Sequence, residues 1–203
     1  DLDSVKVDAI NMGKSYLKHF SSESIAEQVQ AGRFEATTDP ARVSEVEAIL
    51  ICVPTPLDDH REPDLSFVLD TARSLAPYLA QGVLVTLEST TYPGTTEDEL
   101  RLILEEGSGM KVGVDFHLAY SPEREDPGRQ DASVKTIPKV VGGCTPACGD
   151  LAEALYGQAI DKIYRVSSCR AAEATKLLEN IFRSVNIALV NELKVVYEAM
   201  NIN

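Results

Sequence analysis

"AILICVPTPLDDHREPDLSFVLDTARSLAPYL", residues 48–79, changes periodicity part-way along. Ala48–Pro54 is a short apolar run with β-branched members, the pattern of a strand buried on both faces. After the proline- and acid-rich "PTPLDDHREPD", Leu65, Val68, Leu69, Ala72, Leu75 and Leu79 fall on one helical stripe, with Asp64 as candidate N-cap. Strand, loop and amphipathic helix in that order form the repeating unit of a parallel sheet with crossover helices.

The unit recurs downstream. Further strands are expected at "VLVTLES" (83–89), "FHLAYS" (116–121), "KVVGG" (139–143) and "KIYRVS" (162–167). "GTTEDELRLILEE" (94–106) opens with threonines and acids, which suit a helix N-terminus, and continues with Leu100, Ile103 and Leu104. From Ser168 onward neither proline nor glycine occurs, so a single long helix is expected. Its stripe is Leu178, Ile181, Phe182, Val185, Leu189 and Val196, while Lys176, Asn180 and Asn191 share a different face. At the other end, "DLDSVKVDAINMG" (1–13) begins with an acid and then reads as a helix, as though a strand had preceded Asp1. The fold class is therefore α/β: a Rossmann-like parallel sheet with flanking helices, lacking its first strand and glycine-rich loop, followed by the start of a long central helix.

Charge narrows the partners. The 203 residues carry a formal net charge of −13, with a pI near 4.6. Neither nucleic acid nor an anionic membrane surface is expected as a partner, because both require a basic face. No apolar run approaches the roughly 20 residues of a membrane span, and a cytoplasmic location is expected. Cys52, Cys144, Cys148 and Cys169, with His19, His60 and His117, follow no zinc-ligand spacing. We expect no metal and no disulfide framework. In "CTPAC" (144–148) Thr145 could cap a helix and set Cys148 at its start, but ordinary structural cysteines are expected there.

Ligands of open parallel sheets sit beyond the carboxyl ends of the strands. Four segments are expected there: "VPTPLDDHREPD", "ESTTYPGTT", "SPEREDPG" and "SSCRAAEATK". Pro54, Thr55 and Pro56 suit a rigid floor for a flat ring or ribose, or simply a stiff strand exit. Ser89, Thr90 and Thr91 bring hydroxyls that at a helix entrance are more often caps than ligand contacts. Lys176 and Asn180, four apart on one helix face, could offer a charge and a dipole to a developing oxyanion, with Glu123 to relay a proton. Spacing alone favours a plainer reading, in which Lys176 pairs with Glu173 or Glu179 on the surface.

Taken together, "ICVPTPLDDHREPDLS", "LESTTYPGTT", "SPEREDPGR" with "TIPKVVGG", and "AAEATKLLENIFRSVNIALVNE" resemble the UDP-glucose/GDP-mannose dehydrogenase family over essentially the whole chain. "SPEREDPG" followed by "IPKV" looks most like its UDP-N-acetylglucosamine 6-dehydrogenases. The resemblance implies NAD-dependent, two-step oxidation of a UDP-sugar C6 alcohol through an aldehyde and a cysteine-bound thioester. It implies oxyanion roles for Lys176 and Asn180, and water and proton handling by Thr90 and Glu123. Glu123, Arg124, Lys176 and Asn180 would meet the substrate. On the cofactor side, Asp1 matches the acid on the adenosine ribose, which also disfavours a 2′-phosphate, and Lys6 matches a basic contact. Pro54, Thr55 and Ser89 would line the dinucleotide.

By the same resemblance, residues 1–167 form a partial NAD-binding domain, and 168–203 begin a central helix that pairs two copies in a homodimer. The glycine-rich turn and the nucleophilic-cysteine stretch of the family are not found. "GGCTP" (142–146) lacks the following Lys-Asp pair and is read as structural. The chain is thus expected to be an internal fragment, inactive alone. A single-step β-hydroxyacid dehydrogenase and a non-catalytic binding or dimerisation module are the competing readings.

Overall fold

The computed structural model describes residues 1–17, 20–123 and 137–202, which divide into two units, Asp1–Arg42 and Val43–Asn203. Arg124, assigned above to the substrate, lies outside the described residues.

In the first unit, α1 (Ser4–Asn11) starts where Asp3 takes the amide protons of Val5 and Lys6 on its carboxylate, satisfying two donors the helix itself leaves unpaired. It buries Val7 and Ile10. Ser21 caps α2 (Ser22–Gln30) in the same way. The Asn11 side chain pairs with both backbone groups of Ala36 at 2.9 Å each, tying the end of α1 to the segment after α2.

The second unit is built on five strands in the order β1 (Ala48–Ile51), β2 (Leu84–Leu87), β3 (His117–Tyr120), β4 (Lys139–Gly143) and β5 (Ile163–Arg165). α3 (Ser66–Leu75) links β1 to β2. A wide helical turn, Thr95–Leu100, runs straight into α4 (Arg101–Ser108) and links β2 to β3. Alternate strand residues face opposite ways, as the pleat requires. Ile49, Ile51, Val85, Leu87, Leu118, Tyr120 and Val140 pack with Val68, Ala72, Leu100 and Leu104 on one face. Leu84, Ala119 and Val141 pack on the other with Ala152 and Tyr156 of α5 (Pro146–Tyr156). Each large side chain fully removed from water here, such as Phe116 or Leu118, contributes about 1.5–3 kcal/mol.

The expected α/β class holds, but the sheet is mixed rather than all parallel. β1, β2 and β3 run parallel, β4 lies antiparallel to β3, and β5 runs parallel to β4. A parallel return after β3 needs a covering crossover, usually a helix. The sequence between β3 and β4 is broken by prolines and carries no apolar helical stripe. Because β5 therefore points away from the carboxyl edge of β1–β3, "SSCRAAEATK" is not a fourth loop on that edge. It supplies the N-cap, Ser168, and first turns of α6 (Cys169–Ala199), which packs against β3, β4 and the Thr95–Leu100 turn. No helix among the described residues is long and apolar enough to cross a membrane.

Candidate active site

Three strand exits converge at the carboxyl edge of β1, β2 and β3. After β1 the backbone carries Cys52 and half-buried Val53, exposed Pro54 and half-buried Thr55. Ser89, just past β2, turns its hydroxyl onto the Val53 carbonyl at 2.7 Å, and its own carbonyl accepts from the Tyr120 hydroxyl at 3.2 Å. Ser89 thus fastens the exits of β1, β2 and β3 to one another. Beside it Thr90 is exposed. Beyond β3, Ser121 and Pro122 are buried and Glu123 emerges to the surface.

The helix α6 supplies the other wall. Cys169, Ala172, Glu173, Lys176 and Asn180 follow one another along one side at helical spacing. On the plainer reading of the spacing, Glu173 or Glu179 would pair with Lys176 on the surface. Instead Glu173 is fully buried, and its carboxylate accepts from Gly94 N at 2.6 Å, Thr96 N at 2.9 Å and Thr96 Oγ1 at 2.7 Å. Burial pushes its carboxyl up, and these donors only partly offset that. Gly94 is left-handed, with φ 110°, and a Cβ there would lie 2.9 Å from Asp98 and 3.1 Å from Arg170, so only glycine suits this turn. Arg170 closes the joint from outside by pairing with Glu97 at 3.0 Å and Asp98 at 2.6 Å.

One turn further, the Lys176 ammonium donates to the backbone carbonyl of Glu123, across 53 residues of sequence. A cation and a carboxylate-bearing residue thereby meet at the end of β3. Half-buried Asn180 follows on the same side of α6, its side-chain oxygen accepting from Arg183.

A second polar cluster lies behind this edge, and sequence reasoning missed it. Lys139, the first residue of β4, pairs with Glu88, directly after β2, at 3.0 Å, and both side chains are only about one-tenth exposed. Tyr156 of α5 donates to the other Glu88 oxygen at 2.6 Å, with the Lys139 ammonium 4.7 Å from its ring centre. Burial and the Glu88 carboxylate push the Tyr156 hydroxyl up. Cys52 senses the same charges: burial first, then Glu88, raise its thiol to about 11, against the pull of Lys139 and with a further push from Glu123. The available signal was position alone, since charged residues flank strands that otherwise read as core.

In the first unit, Asp1 is exposed and one of its carboxylate oxygens takes the Asp3 amide at 2.9 Å. An exposed acid of this kind suits two ribose hydroxyls. Lys6 stands 3.7 Å from the Asp3 carboxylate and 5.8 Å from the centre of the Tyr16 ring.

Comparison with known proteins assigns these parts. Residues 1–160 match the NAD binding domain of the UDP-glucose/GDP-mannose dehydrogenase family, and residues 170–203 match its central domain. A UDP-N-acetyl-D-glucosamine 6-dehydrogenase of Pseudomonas aeruginosa is 37% identical over 88% of the chain and 42% of its own length. A UDP-N-acetyl-D-mannosamine dehydrogenase of Escherichia coli K12 is 38% identical over 100% of the chain and 49% of its own. Among solved structures, a UDP-D-ManNAc dehydrogenase from Pyrococcus horikoshii superimposes with a TM-score of 0.92 at 34% identity, over 100% of this chain and 48% of that one. The chain spans less than half the length of these relatives.

Proposed function

The chain belongs to the UDP-glucose/GDP-mannose dehydrogenase family, whose NAD binding domain it carries, and on that premise we propose that it serves the NAD-dependent oxidation of a UDP-sugar C6 alcohol to the uronic acid. UDP-N-acetylglucosamine is the substrate we favour, because a 6-dehydrogenase of that sugar is among the relatives. Residues 1–167 act as the NAD-binding part and 168–203 as the start of the central helix. NAD, when bound, accepts the hydride equivalents of both oxidation steps.

The chain's own residues do the rest by placement. Asp1 holds the adenosine ribose, Lys6 adds a cation, and Pro54, Thr55 and Ser89 shape the rim under the dinucleotide. Lys176 is the residue on which the reading turns, and the observation that carries it is the ammonium held at the Glu123 carbonyl. A positive charge fixed beside a strand exit stabilises an oxyanion with little reorganisation, and losing such a donor costs about 100- to 1,000-fold in turnover. Asn180 adds a second donor. Glu123 and exposed Thr90 hold the water and move the proton of the hydrolytic step. The apolar surface of α6 is covered by a second copy in a homodimer, and the protein works in the cytoplasm.

The test is Lys176→Ala in the complete protein of which this chain is a part, with UDP-N-acetylglucosamine and NAD. Turnover should fall by about 100-fold or more, with the wild type forming two NADH per sugar. Unchanged turnover would remove Lys176 from the chemistry, and one NADH per sugar would favour a single-step alcohol dehydrogenase instead.

A further inference from the structure

At the base of α6, two thiols meet. Cys144 follows β4 directly and Cys169 is the first residue of α6, and their sulfurs are 3.5 Å apart. Both cysteines are unbridged. Cys144 is partly exposed, whereas Cys169 is fully buried with its thiol on the Gly142 carbonyl at 3.3 Å. Cys148 is engaged elsewhere, its sulfur 3.1 Å from the Thr145 hydroxyl and 3.4 Å from the Leu118 amide.

We propose that Cys144 and Cys169 form an oxidisable dithiol, which hydrogen peroxide converts into a disulfide that displaces the site-bearing side of α6. The accessible Cys144 sulfur attacks the peroxide oxygen, breaking the O–O bond, releasing water and leaving a sulfenic acid. The Cys169 sulfur then attacks the Cys144 sulfur. An S–S bond forms, the S–O bond breaks, and the hydroxyl leaves as water with the Cys169 proton. One peroxide is reduced to two waters and two thiols are oxidised to one disulfide. The order follows from exposure. It follows also from chemistry, since Cys169 is held as a thiol by the adjoining Cys144 sulfur, by burial and by the Glu97 and Glu173 carboxylates.

Geometry gives the crosslink its consequence. A disulfide needs its sulfurs about 2.05 Å apart, so the 3.5 Å contact must close by about 1.5 Å. A Cβ at Gly142 would collide with the Ser168 carbonyl, so β4 and the start of α6 are already in contact, and whatever part of the closure the two side chains do not absorb by torsion is taken up as a slide or rotation of the helix. Cys169, Glu173 and Lys176 share one helical side, so that shift is passed to the Glu173 anchor and to the ammonium at Glu123. This consequence rests on the functional reading above, whereas the crosslink itself does not.

The complete protein of which this chain is a part is treated with hydrogen peroxide, alkylated, digested without reductant and mapped by mass spectrometry, with turnover measured before and after dithiothreitol. The expected result is a peptide pair joined through Cys144 and Cys169 with the loss of two hydrogens. Turnover should drop by about 100-fold, the cost of a roughly 1 Å misplacement, and recover on reduction. Cys144→Ser should keep its turnover under the same dose. Oxygen added to either cysteine without a crosslink, or a crosslink to Cys52 or Cys148, would overturn the proposal. So would protection of both thiols by a bound thiophilic metal such as zinc, with Glu97 as third ligand, or a crosslink that leaves turnover unchanged. A protein that forms the crosslink yet never oxidises a UDP-sugar would break the functional reading alone, since the dithiol is read by mass.

Discussion

The two halves of α6 share one backbone and differ in almost everything else. In the first two turns Cys169, Ala172 and Glu173 are buried against the sheet, and the carboxylate of Glu173 supplies the acceptors for the Gly94–Thr96 turn. From Leu177 on, the apolar side chains stand in solvent, with Leu178 67% and Phe182 66% exposed. Helix propensity does not account for the difference, because the second half is helical despite its β-branched Val185, Ile187, Val190, Val195 and Val196, and propensity does not say which side chains are covered. What separates them is the sheet: the first half is fixed by a buried polar joint, and the second carries an apolar surface that calls for a cover. Lys176 and Asn180, the residues we propose to hold the oxyanion, sit where one regime gives way to the other.

The strongest way to break the comparison is to remove the joint. Glu173→Ala leaves two backbone amides and a hydroxyl without acceptors in a buried site, which should cost about 3–5 kcal/mol. Chemical denaturation measures it. A loss below about 1 kcal/mol would show that packing alone seats the helix. Glu173→Gln keeps the shape but turns an amide NH₂ toward donors, so it should recover less than half of the loss.

The buried pair on the opposite face of the sheet sharpens the point. Lys139→Met leaves Glu88 without its cation, although Tyr156 still donates to it, and should cost about 3 kcal/mol by the same measurement. If Lys139→Met costs as much as Glu173→Ala, buried polar joints stabilise both faces equally, and α6 has no special anchor.

Much of this was legible in the sequence. The five strands, the Thr145 cap and the single long helix follow from periodicity and from capping chemistry, which act locally. The direction of β4 was not legible, because strand polarity depends on how the chain returns rather than on what the strand contains. Glu173 was misplaced for a related reason. Its neighbours in sequence make it a surface i, i+3 partner for Lys176, and only the Gly94 turn, 79 residues earlier, makes it a buried acceptor. Lys176 and Glu123 were set together by their residue chemistry and by family resemblance, against the plainer reading of spacing, and in the structure the Lys176 ammonium meets the Glu123 backbone carbonyl. The Glu88–Lys139–Tyr156 cluster joins two strand ends to a helix across the sheet, a relation no local pattern encodes.

The exposed half should behave in the opposite way to the anchored one. Leu178→Gln with Phe182→Gln retains helix-forming residues and should change unfolding free energy by no more than about 0.5 kcal/mol per site. Self-association in sedimentation velocity should fall with it, because the change removes apolar surface that we propose a second copy covers. A destabilisation above about 2 kcal/mol with unaltered association would place this face in an intramolecular contact instead.

The smallest expected effect tests whether the anchored half truly delivers Glu123 to the end of β1. Glu123 is one of the charges that raise the Cys52 thiol to about 11, behind burial and Glu88. A raised thiol pKa means less thiolate at neutral pH, so Cys52 should alkylate more slowly than a free cysteine despite its exposure. Glu123→Gln removes one negative neighbour, lowers that pKa and should speed alkylation at pH 8 about twofold. Followed by peptide mapping across pH, the rate should rise toward the thiol's own pKa in both proteins, with the variant's curve displaced to lower pH. Superimposed curves would mean that the Glu123 carboxylate turns away from β1. The proton-relay role proposed for Glu123 would then lose its geometric basis.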